Sequence, residues 1–164
     1  MYFIVVPGYK AKKDDFWYQR LLNYLKNEND LVNILKLPNI DHPHCKEWVN
    51  VLTEVVLKNQ NQDLVLIGHS LGFLTILNFL NNYKGKKIKY VVGIAGLSFY
   101  NKKLENYAVG YNTFLDYKKI KIRVEKWMIF HAKNDNLIPW KYAQKYADKL
   151  GAKFILMEDG GHFN

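Results

Sequence analysis

Short apolar stretches alternate along this chain with longer segments of helical periodicity, and no other feature of the sequence restricts its fold so strongly. Several of these stretches are apolar at successive positions, which is typical of strands covered on both faces. Strands that alternate with helices are parallel and are joined by right-handed crossovers. Six strands are predicted, at Tyr2–Val6, Leu31–Leu37, Leu64–Ile67, Ile88–Ile94, Trp127–His131 and Phe154–Met157.

The segments between these strands carry helical patterns. In two of them the apolar residues fall on one stripe, whereas a third is apolar nearly all round and predicts a helix in the middle of the domain. The four predicted helices are Asp14–Lys26, Glu47–Leu57, Leu71–Leu80 and Trp140–Leu150. We therefore expect an α/β fold with three layers, α/β/α, around a six-stranded, mainly parallel sheet of strand order 2-1-3-4-5-6 with a minimal cap.

The length and composition of the chain fit one domain spanning residues 1–164. Its 164 residues are 49% hydrophobic, which is enough for an ordinary core. No segment approaches the roughly 20 apolar residues of a membrane span, and the N-terminus lacks the pattern of a signal peptide. The single cysteine, Cys45, cannot form an internal disulfide. We expect a soluble, cytoplasmic protein that does not associate with membranes.

The formal net charge of +9 raises the question of an anionic partner. Basic residues concentrate between Lys84 and Lys126, but nearly all are lysines spread over several predicted elements, and no nucleic-acid-binding motif accompanies them. A solvated lysine-rich surface is the favoured interpretation. We expect no nucleic-acid partner.

The pentapeptide Gly68-His69-Ser70-Leu71-Gly72 fits the pattern G-x-S-x-G between a predicted strand and a predicted helix. In that setting the serine lies on a strained turn, and glycines two residues before and after it avoid collisions with the neighbouring strand and helix. Its hydroxyl then stands at the N-terminus of a buried helix, where the amides favour developing negative charge. The alternative interpretation is a serine that caps the helix. The surrounding elements favour Ser70 as a nucleophile.

A serine nucleophile needs a base to take its proton and a third group to orient that base. In the chain order expected for this motif, the acid and then the histidine follow the serine. Asp135 follows the fifth predicted strand, and His162 follows the sixth in a loop with glycines at 160 and 161. These glycines let the backbone turn sharply and bring the imidazole over Ser70. Asp135 and His162 are therefore the predicted acid and base.

Other polar residues near these loops have simpler interpretations. Asp159 competes as the acid but lies too close in sequence to the predicted base for the usual arrangement. His69 is expected to point away from the nucleophile and pack locally, and His131 to be a core or rim histidine. The cluster Asp41–Cys45 lacks matching zinc spacing, so we expect no metal and no cofactor. Cys45 is expected to pack at the start of a helix.

Acyl transfer also requires hydrogen-bond donors for the oxyanion. The backbone N–H of Leu71, directly after the nucleophile, is one predicted donor. The second is expected from the loop after the first strand, at Tyr9, because strands one and three are neighbours where the strand order reverses. This crevice brings the "PGY" loop beside Ser70.

With these elements in place, the sequence resembles the α/β-hydrolase superfamily, and more narrowly the small serine hydrolases grouped with YdeN and retinoblastoma-binding protein nine. The ordered motifs that carry the resemblance are "VPGY", "DFWYQRL", "LPNIDHPHCKEWVNVL", "LIGHSLG", "AKNDNLIP" and "GGHF", which span nearly the whole chain. The resemblance implies a catalytic triad of Ser70, Asp135 and His162. It also implies a fold without the large lid of true lipases.

The predicted function is that of a carboxylesterase-like serine hydrolase that acts on a small-molecule carboxylic ester, with a thioester or an amide as alternatives. Residues 96–123 are expected to form a short cap-like insertion over the pocket. Four aromatic residues of this cap are candidate substrate-binding residues: Tyr100, Tyr107, Tyr111 and Phe114. The alternative is a catalytically idle binding or scaffold protein with the same fold, since His162 lies close to the end of the sequence, where fraying is the default.

Overall fold

Six strands form one parallel sheet in the computed structural model, which describes residues 1–11, 16–27, 30–96, 107–111 and 114–163. The order across the sheet is β2-β1-β3-β4-β5-β6, and every neighbouring pair runs parallel. The predicted α/β fold and its strand order are thereby confirmed. The strands are β1 (Tyr2–Val6), β2 (Leu31–Ile34), β3 (Leu64–His69), β4 (Ile88–Ile94), β5 (Val124–Ala132) and β6 (Lys153–Met157).

Four strands differ in length from the predicted ranges; β3 ends two residues later, at His69, β6 begins one residue earlier, at Lys153, and the larger differences are in β2 and β5. β2 ends at Ile34, earlier than predicted. The Leu35 amide still donates to the Val5 carbonyl, but β1 ends at Val6, so Lys36 and Leu37 have no partner strand. β5 begins earlier than predicted, at Val124, where it already pairs with β4. The exposed side chains of Glu125 and Lys126 interrupt the apolar pattern there, so the start of β5 is set by its register with β4.

Five helices connect the strands within the described ranges. Of these, α1 packs on one face of the sheet, and α2, α3 and α5 pack on the other, which gives three layers. Residues 71–80 of α3 are all buried, as predicted for a central helix. None of these helices is long and apolar enough to cross a membrane. The helices are α1 (Phe16–Asn27), α2 (Cys45–Lys58), α3 (Leu71–Asn82), α4 (Tyr117–Lys121) and α5 (Trp140–Leu150).

The short helix α4 was not predicted and lies in the segment expected to form a cap, residues 96–123. Its N-cap is Asp116, whose carboxylate accepts a hydrogen bond from the Lys119 amide at 3.0 Å. An aspartate directly before a lysine-rich turn was the sequence signal for it. Residues 97–106 and 112–113 of this segment lie outside the described residues.

The described part of that segment, residues 107–111, is attached to the start of α2. The Cys45 amide donates to the Val109 carbonyl and the Val109 amide donates to the Pro43 carbonyl, both at 2.9 Å. Cys45 is the first residue of α2 and is buried, as predicted. Residues 107–111 are therefore fastened to the start of α2.

The N-terminal turn of α3 approaches the end of β1 so closely that no side chain fits between them. A Cβ atom added at Gly72 would lie 2.0 Å from the Val6 carbonyl oxygen and 2.6 Å from that of Pro7. Real Cβ atoms do not come this close to backbone oxygens, so the two elements would have to separate. This contact sets how α3 sits on the sheet.

We predict that Gly72→Ala lowers the free energy of unfolding by about 3 kcal/mol, because the added methyl group meets fixed backbone. Helix propensity alone predicts the opposite sign, a gain of about 1 kcal/mol. Urea denaturation followed by circular dichroism measures the difference. Asn82→Ala, at the exposed end of the same helix, is the control and is expected to stay within about 0.5 kcal/mol of wild type. A Gly72→Ala variant as stable as wild type would contradict the close packing of α3 against the end of β1.

Candidate active site

Ser70 lies on the turn between β3 and α3 with a backbone conformation rare for residues other than glycine, φ 51° and ψ −118°. Its side chain makes no capping hydrogen bond to α3. Instead, Ser70 Oγ lies 2.9 Å from His162 Nε2. The Ser70 hydroxyl therefore contacts the His162 imidazole and does not cap α3.

The glycines around Ser70 have the steric role expected of them. A Cβ atom at Gly68 would lie 2.6 Å from Cα of Phe73, in the first turn of α3. Gly72 meets the end of β1 as described above. Because both positions lack a side chain, α3 can start directly after β3, and the backbone at Ser70 is forced into the tight turn.

His162 bridges Ser70 and Asp135. His162 Nδ1 lies 2.9 Å from Asp135 Oδ2, and the two side chains are 9% and 0% exposed. An ionised carboxylate only accepts hydrogen bonds, so Nδ1 carries a proton and donates it to Asp135. In the neutral ring, Nε2 then has the free lone pair and accepts from the Ser70 hydroxyl. The structure thus brings together the three residues predicted as nucleophile, base and acid.

Asp135 is held as a carboxylate by its surroundings. Its Oδ1 accepts hydrogen bonds from the amides of Leu137 at 2.8 Å and Ile138 at 2.9 Å. Burial opposes ionisation, but the hydrogen bonds from His131, His162 and the Ile138 amide outweigh it and hold the pKa of Asp135 well below its usual range. The charge needed beside His162 is therefore present at neutral pH.

His131 contributes to this pocket from β5. Its side chain is fully buried, and Nε2 lies 2.8 Å from the Ile138 carbonyl oxygen and 3.2 Å from Asp135 Oδ2. The carbonyl oxygen can only accept, so Nε2 is protonated and is shared with the carboxylate. The expectation of a core histidine agrees with its burial, but its contact with Asp135 was not anticipated.

The backbone before and after the His162 side chain is held by side chains at the ends of β3 and β5. The Gly161 amide donates to Asn134 Oδ1, and His69 Nε2 lies at hydrogen-bonding distance from the His162 carbonyl oxygen, both at 2.8 Å. Gly161 itself has φ +53°, the left-handed conformation that a sharp turn requires here. The loop after β6 is thus fastened to the ends of β3 and β5.

The two predicted oxyanion donors lie in the expected loops. Leu71 is the first residue of α3, so its amide precedes those that find partners within the helix. In the loop after β1, the Gly8 amide donates to Tyr18 Oη and the Lys10 amide to the Ile40 carbonyl, both at 3.2 Å. The Tyr9 amide meets no acceptor among the described residues.

The candidate substrate-binding aromatics have different environments. The Tyr107 ring is 48% exposed and lies 5.7 Å from the Tyr9 ring. Tyr111 is mostly buried, and its hydroxyl lies 3.1 Å from Thr75 Oγ1 on α3. Phe114 is 94% exposed. Tyr100 lies outside the described residues.

Asp159, the rival acid in the sequence, takes a different place. Its Oδ1 accepts hydrogen bonds from the Gly160 amide at 2.8 Å and from the Asn134 side chain. It therefore braces the loop that carries His162 and does not contact the imidazole in the described hydrogen bonds. Sequence reasoning named Asp159 only as a rival acid and did not name Asn134, so the supporting role of both residues was missed.

The fold of the chain is that of the α/β hydrolases. The crystal structure of the ydeN gene product from B. subtilis superposes with a TM-score of 0.89 at 22% identity, covering 99% of this chain and 87% of that one. The α/β hydrolase domain-containing protein 10 from mouse superposes with a TM-score of 0.73 at 15% identity, covering 99% and 82%.

A family model described as serine hydrolase matches residues 3–164, and the chain belongs to this family. The YdeN protein of Bacillus subtilis (strain 168) is 25% identical over 163 residues, which are 97% of this chain and 84% of that protein. The serine hydrolase RBBP9 of Rattus norvegicus is 26% identical over 104 residues, 63% of this chain and 54% of that protein. The resemblance read from the sequence is thereby confirmed.

We predict that Asp135→Asn lowers the free energy of unfolding at pH 7 by about 2 kcal/mol, because the charged acceptor for several buried donors is lost. The pKa of Asp135 is lower in the folded than in the unfolded protein, so its carboxylate stabilises the fold above the unfolded pKa of about 3.9. This contribution fades as the pH falls below that value. The difference in free energy of unfolding between Asp135→Asn and wild type should therefore become smaller in urea titrations run from pH 7 to pH 3.

Asp148→Asn is the matched control, since Asp148 is an exposed carboxylate on α5. Its stability is expected to follow that of wild type over the same pH range. A stability difference for Asp135→Asn that stays constant down to pH 3 would show that the charge of Asp135 is not what stabilises the fold.

Proposed function

We propose that the protein hydrolyses a small carboxylic ester through an acyl-enzyme on Ser70. The observation that carries this proposal is the line of hydrogen bonds from Asp135 through His162 to Ser70 Oγ, with 2.9 Å at each step. Membership of the serine hydrolase family supports it. Thioesters and amides undergo the same acyl transfer and belong to the proposed substrate class.

In the proposed reaction, Ser70 Oγ attacks the carbonyl carbon of the ester while His162 Nε2 takes the hydroxyl proton. Asp135 accepts from Nδ1 and stabilises the imidazolium that forms, without taking the proton itself. His162 then passes the proton to the leaving alcohol as the carbon–oxygen bond breaks. Water repeats the sequence on the acyl-enzyme, which frees the carboxylic acid and restores Ser70.

The negative charge on the substrate oxygen requires donors that are already in place. We assign this role to the amides of Leu71 and Tyr9. The helix position of Leu71 and the engaged amides on both sides of Tyr9 support the assignment. Both donors belong to the backbone, so side-chain substitutions at these positions leave the donors in place.

The proposed substrate is a small molecule that rests against Tyr107. The half-exposed Tyr107 ring contacts the ring of Tyr9, which carries the second oxyanion donor, and so lies on the side where the substrate carbonyl would bind. The hydroxyl of Tyr111 is engaged with Thr75, which favours a packing role for that residue. These contacts support an aromatic wall for the substrate formed chiefly by Tyr107.

We predict that a fluorophosphonate labels the wild-type protein on Ser70. Ser70→Ala should abolish the label, and His162→Ala should slow labelling at least about 10³-fold, because the hydroxyl is a poor nucleophile without its base. Intact-mass and peptide mass spectrometry locate the label, and circular dichroism verifies that each variant is folded. A folded wild-type protein that remains unlabelled would contradict the proposed function and favour a catalytically idle scaffold.

We further predict that Tyr107→Ala changes the ranking in a series of p-nitrophenyl esters of increasing acyl chain length. Loss of an apolar wall should raise KM for the ester with the preferred acyl chain by about 10-fold. It should leave kcat for p-nitrophenyl acetate nearly unchanged. Tyr24→Ala, which removes a 67% exposed tyrosine from α1, is the control and should leave the series unaltered. An unchanged ranking for Tyr107→Ala would rule out the proposed wall.

A further inference from the structure

His69 makes contacts at the centre of the site that the proposed reaction does not use. It is the last residue of β3, directly before Ser70, and is 3% exposed. Its Nε2 lies 2.8 Å from the backbone carbonyl oxygen of His162, and the two imidazole rings are 5.3 Å apart. The residue before the nucleophile therefore touches the backbone of the residue that would act as its base.

The chemistry of these contacts fixes where the proton lies on His69. A carbonyl oxygen only accepts hydrogen bonds, so Nε2 of His69 must carry the proton that it donates to His162. His69 Nδ1 lies 3.2 Å from Tyr18 Oη. In the neutral ring Nδ1 is an acceptor, and the Tyr18 hydroxyl donates to it.

Tyr18 in turn fixes the orientation of His69. Tyr18 is fully buried on α1, and its Oη accepts a hydrogen bond from the Gly8 amide at 3.2 Å. The proton of the hydroxyl is thereby directed to the imidazole. Trp17 adds an edge-on ring contact with His69, with centroids 5.4 Å apart. The chain of donors runs from the loop after β1 through Tyr18 and His69 to the loop after β6.

We propose that His69 is a positioning residue that holds His162 in register with Ser70 and Asp135, and that Tyr18 sets its orientation. This proposal rests on the function proposed above, because it concerns the geometry of the same base. The His162 ring must span two partners at 2.9 Å each, and the loop that carries it has positive φ at Gly161 and Phe163. Asn134 holds the backbone before the ring, and His69 holds it after the ring.

His69→Phe and His69→Gln test the role of the donor. Phenylalanine keeps the ring volume but has no donor, and a displacement of the base by about 1 Å lowers kcat by about 10²-fold. KM should stay near its wild-type value, because His69 does not contact substrate. Glutamine carries an N–H at the position of Nε2 and should restore kcat to within about 10-fold of wild type.

Tyr18→Phe tests the second half of the proposal. Loss of the hydroxyl should lower kcat by about 10-fold, but it also releases the Gly8 amide beside Tyr9, so kcat does not isolate the contact with His69. The Nδ1 proton signal of His162 in NMR isolates it, and this signal should weaken in Tyr18→Phe. Tyr83→Phe is the matched control, because it removes a buried hydroxyl that donates to the Lys86 carbonyl at 2.9 Å at the opposite end of the sheet. It should leave kcat unchanged. A His162 signal in Tyr18→Phe that is the same as in the wild-type protein would overturn this part.

Nitrogen-15 NMR of histidine-labelled wild-type protein tests the contact without any substrate. We expect His69 to be protonated at Nε2, and the Nδ1 proton of His162 to give a downfield signal that is lost in His69→Phe and kept in His69→Gln. A ring of His69 protonated only at Nδ1, or a His162 signal unchanged in His69→Phe, would overturn the inference. If His69→Phe fails to fold, the tautomer of His69 in the wild-type protein and the His162 signal in His69→Gln decide whether the contact exists.

The two proposals fail in different ways. An inactive, unlabelled wild-type protein with the expected tautomer and His162 signal would reject the proposed hydrolysis and keep the positioning contact. An active protein in which His69→Phe retains wild-type kcat would reject the role of His69 and keep the hydrolysis. Thermal melting of each variant separates a loss of kcat from a loss of folded protein.

Discussion

The close approach of α3 to the end of β1 is the contact on which the rest of this site depends. A side chain at Gly72 would lie 2.0 Å from the Val6 carbonyl oxygen, and one at Gly68 would collide with the backbone of Phe73. Because both are absent, β3 turns into α3 within one residue, and Ser70 takes φ 51°. This conformation directs Oγ away from the helix end that a serine at this position would otherwise cap. The first turn of α3, which begins at Leu71, meets the end of β1 for the same reason.

The order of the strands places Ser70 after a strand that is not a neighbour of the strands before Asp135 and His162. Ser70 follows β3, Asp135 follows β5 and His162 follows β6. Parallel strands lie about 4.8 Å apart, so the ends of β3 and β6 are roughly 14 Å from each other. The loop after β6 has to cross the ends of two strands before its imidazole meets Ser70 Oγ at 2.9 Å. A loop of this length needs anchors along its path, and Asn134 and His69 provide them.

The sequence predicted the strands and the helices well because these depend on local patterns. The strand order pairs strands that lie far apart in the chain, and its prediction came from the general rules for parallel α/β sheets. Continuous apolar runs, the glycines around Ser70 and the chain order of Ser70, Asp135 and His162 are all visible without a structure. The start of β5 and the helix α4 were missed, since register with a neighbour and a single aspartate cap set them. The roles of His69 and His131 were also missed, because their partners lie far away in the sequence or share a buried pocket with no periodic pattern.

Three histidines, at positions 69, 131 and 162, thus share the carboxyl edge of the sheet, and their environments separate their roles. His131 Nε2 is occupied by the Ile138 carbonyl and the Asp135 carboxylate, both within a fully buried pocket. His69 Nε2 is occupied by a backbone carbonyl, and its Nδ1 lies beside Tyr18. Only His162 has an Nε2 directed at a hydroxyl group, while its Nδ1 is held by a carboxylate. The Nε2 atoms of His69 and His131 donate to carbonyl or carboxylate oxygens. Of these three histidines, His162 is therefore the one that can take a proton from the Ser70 hydroxyl.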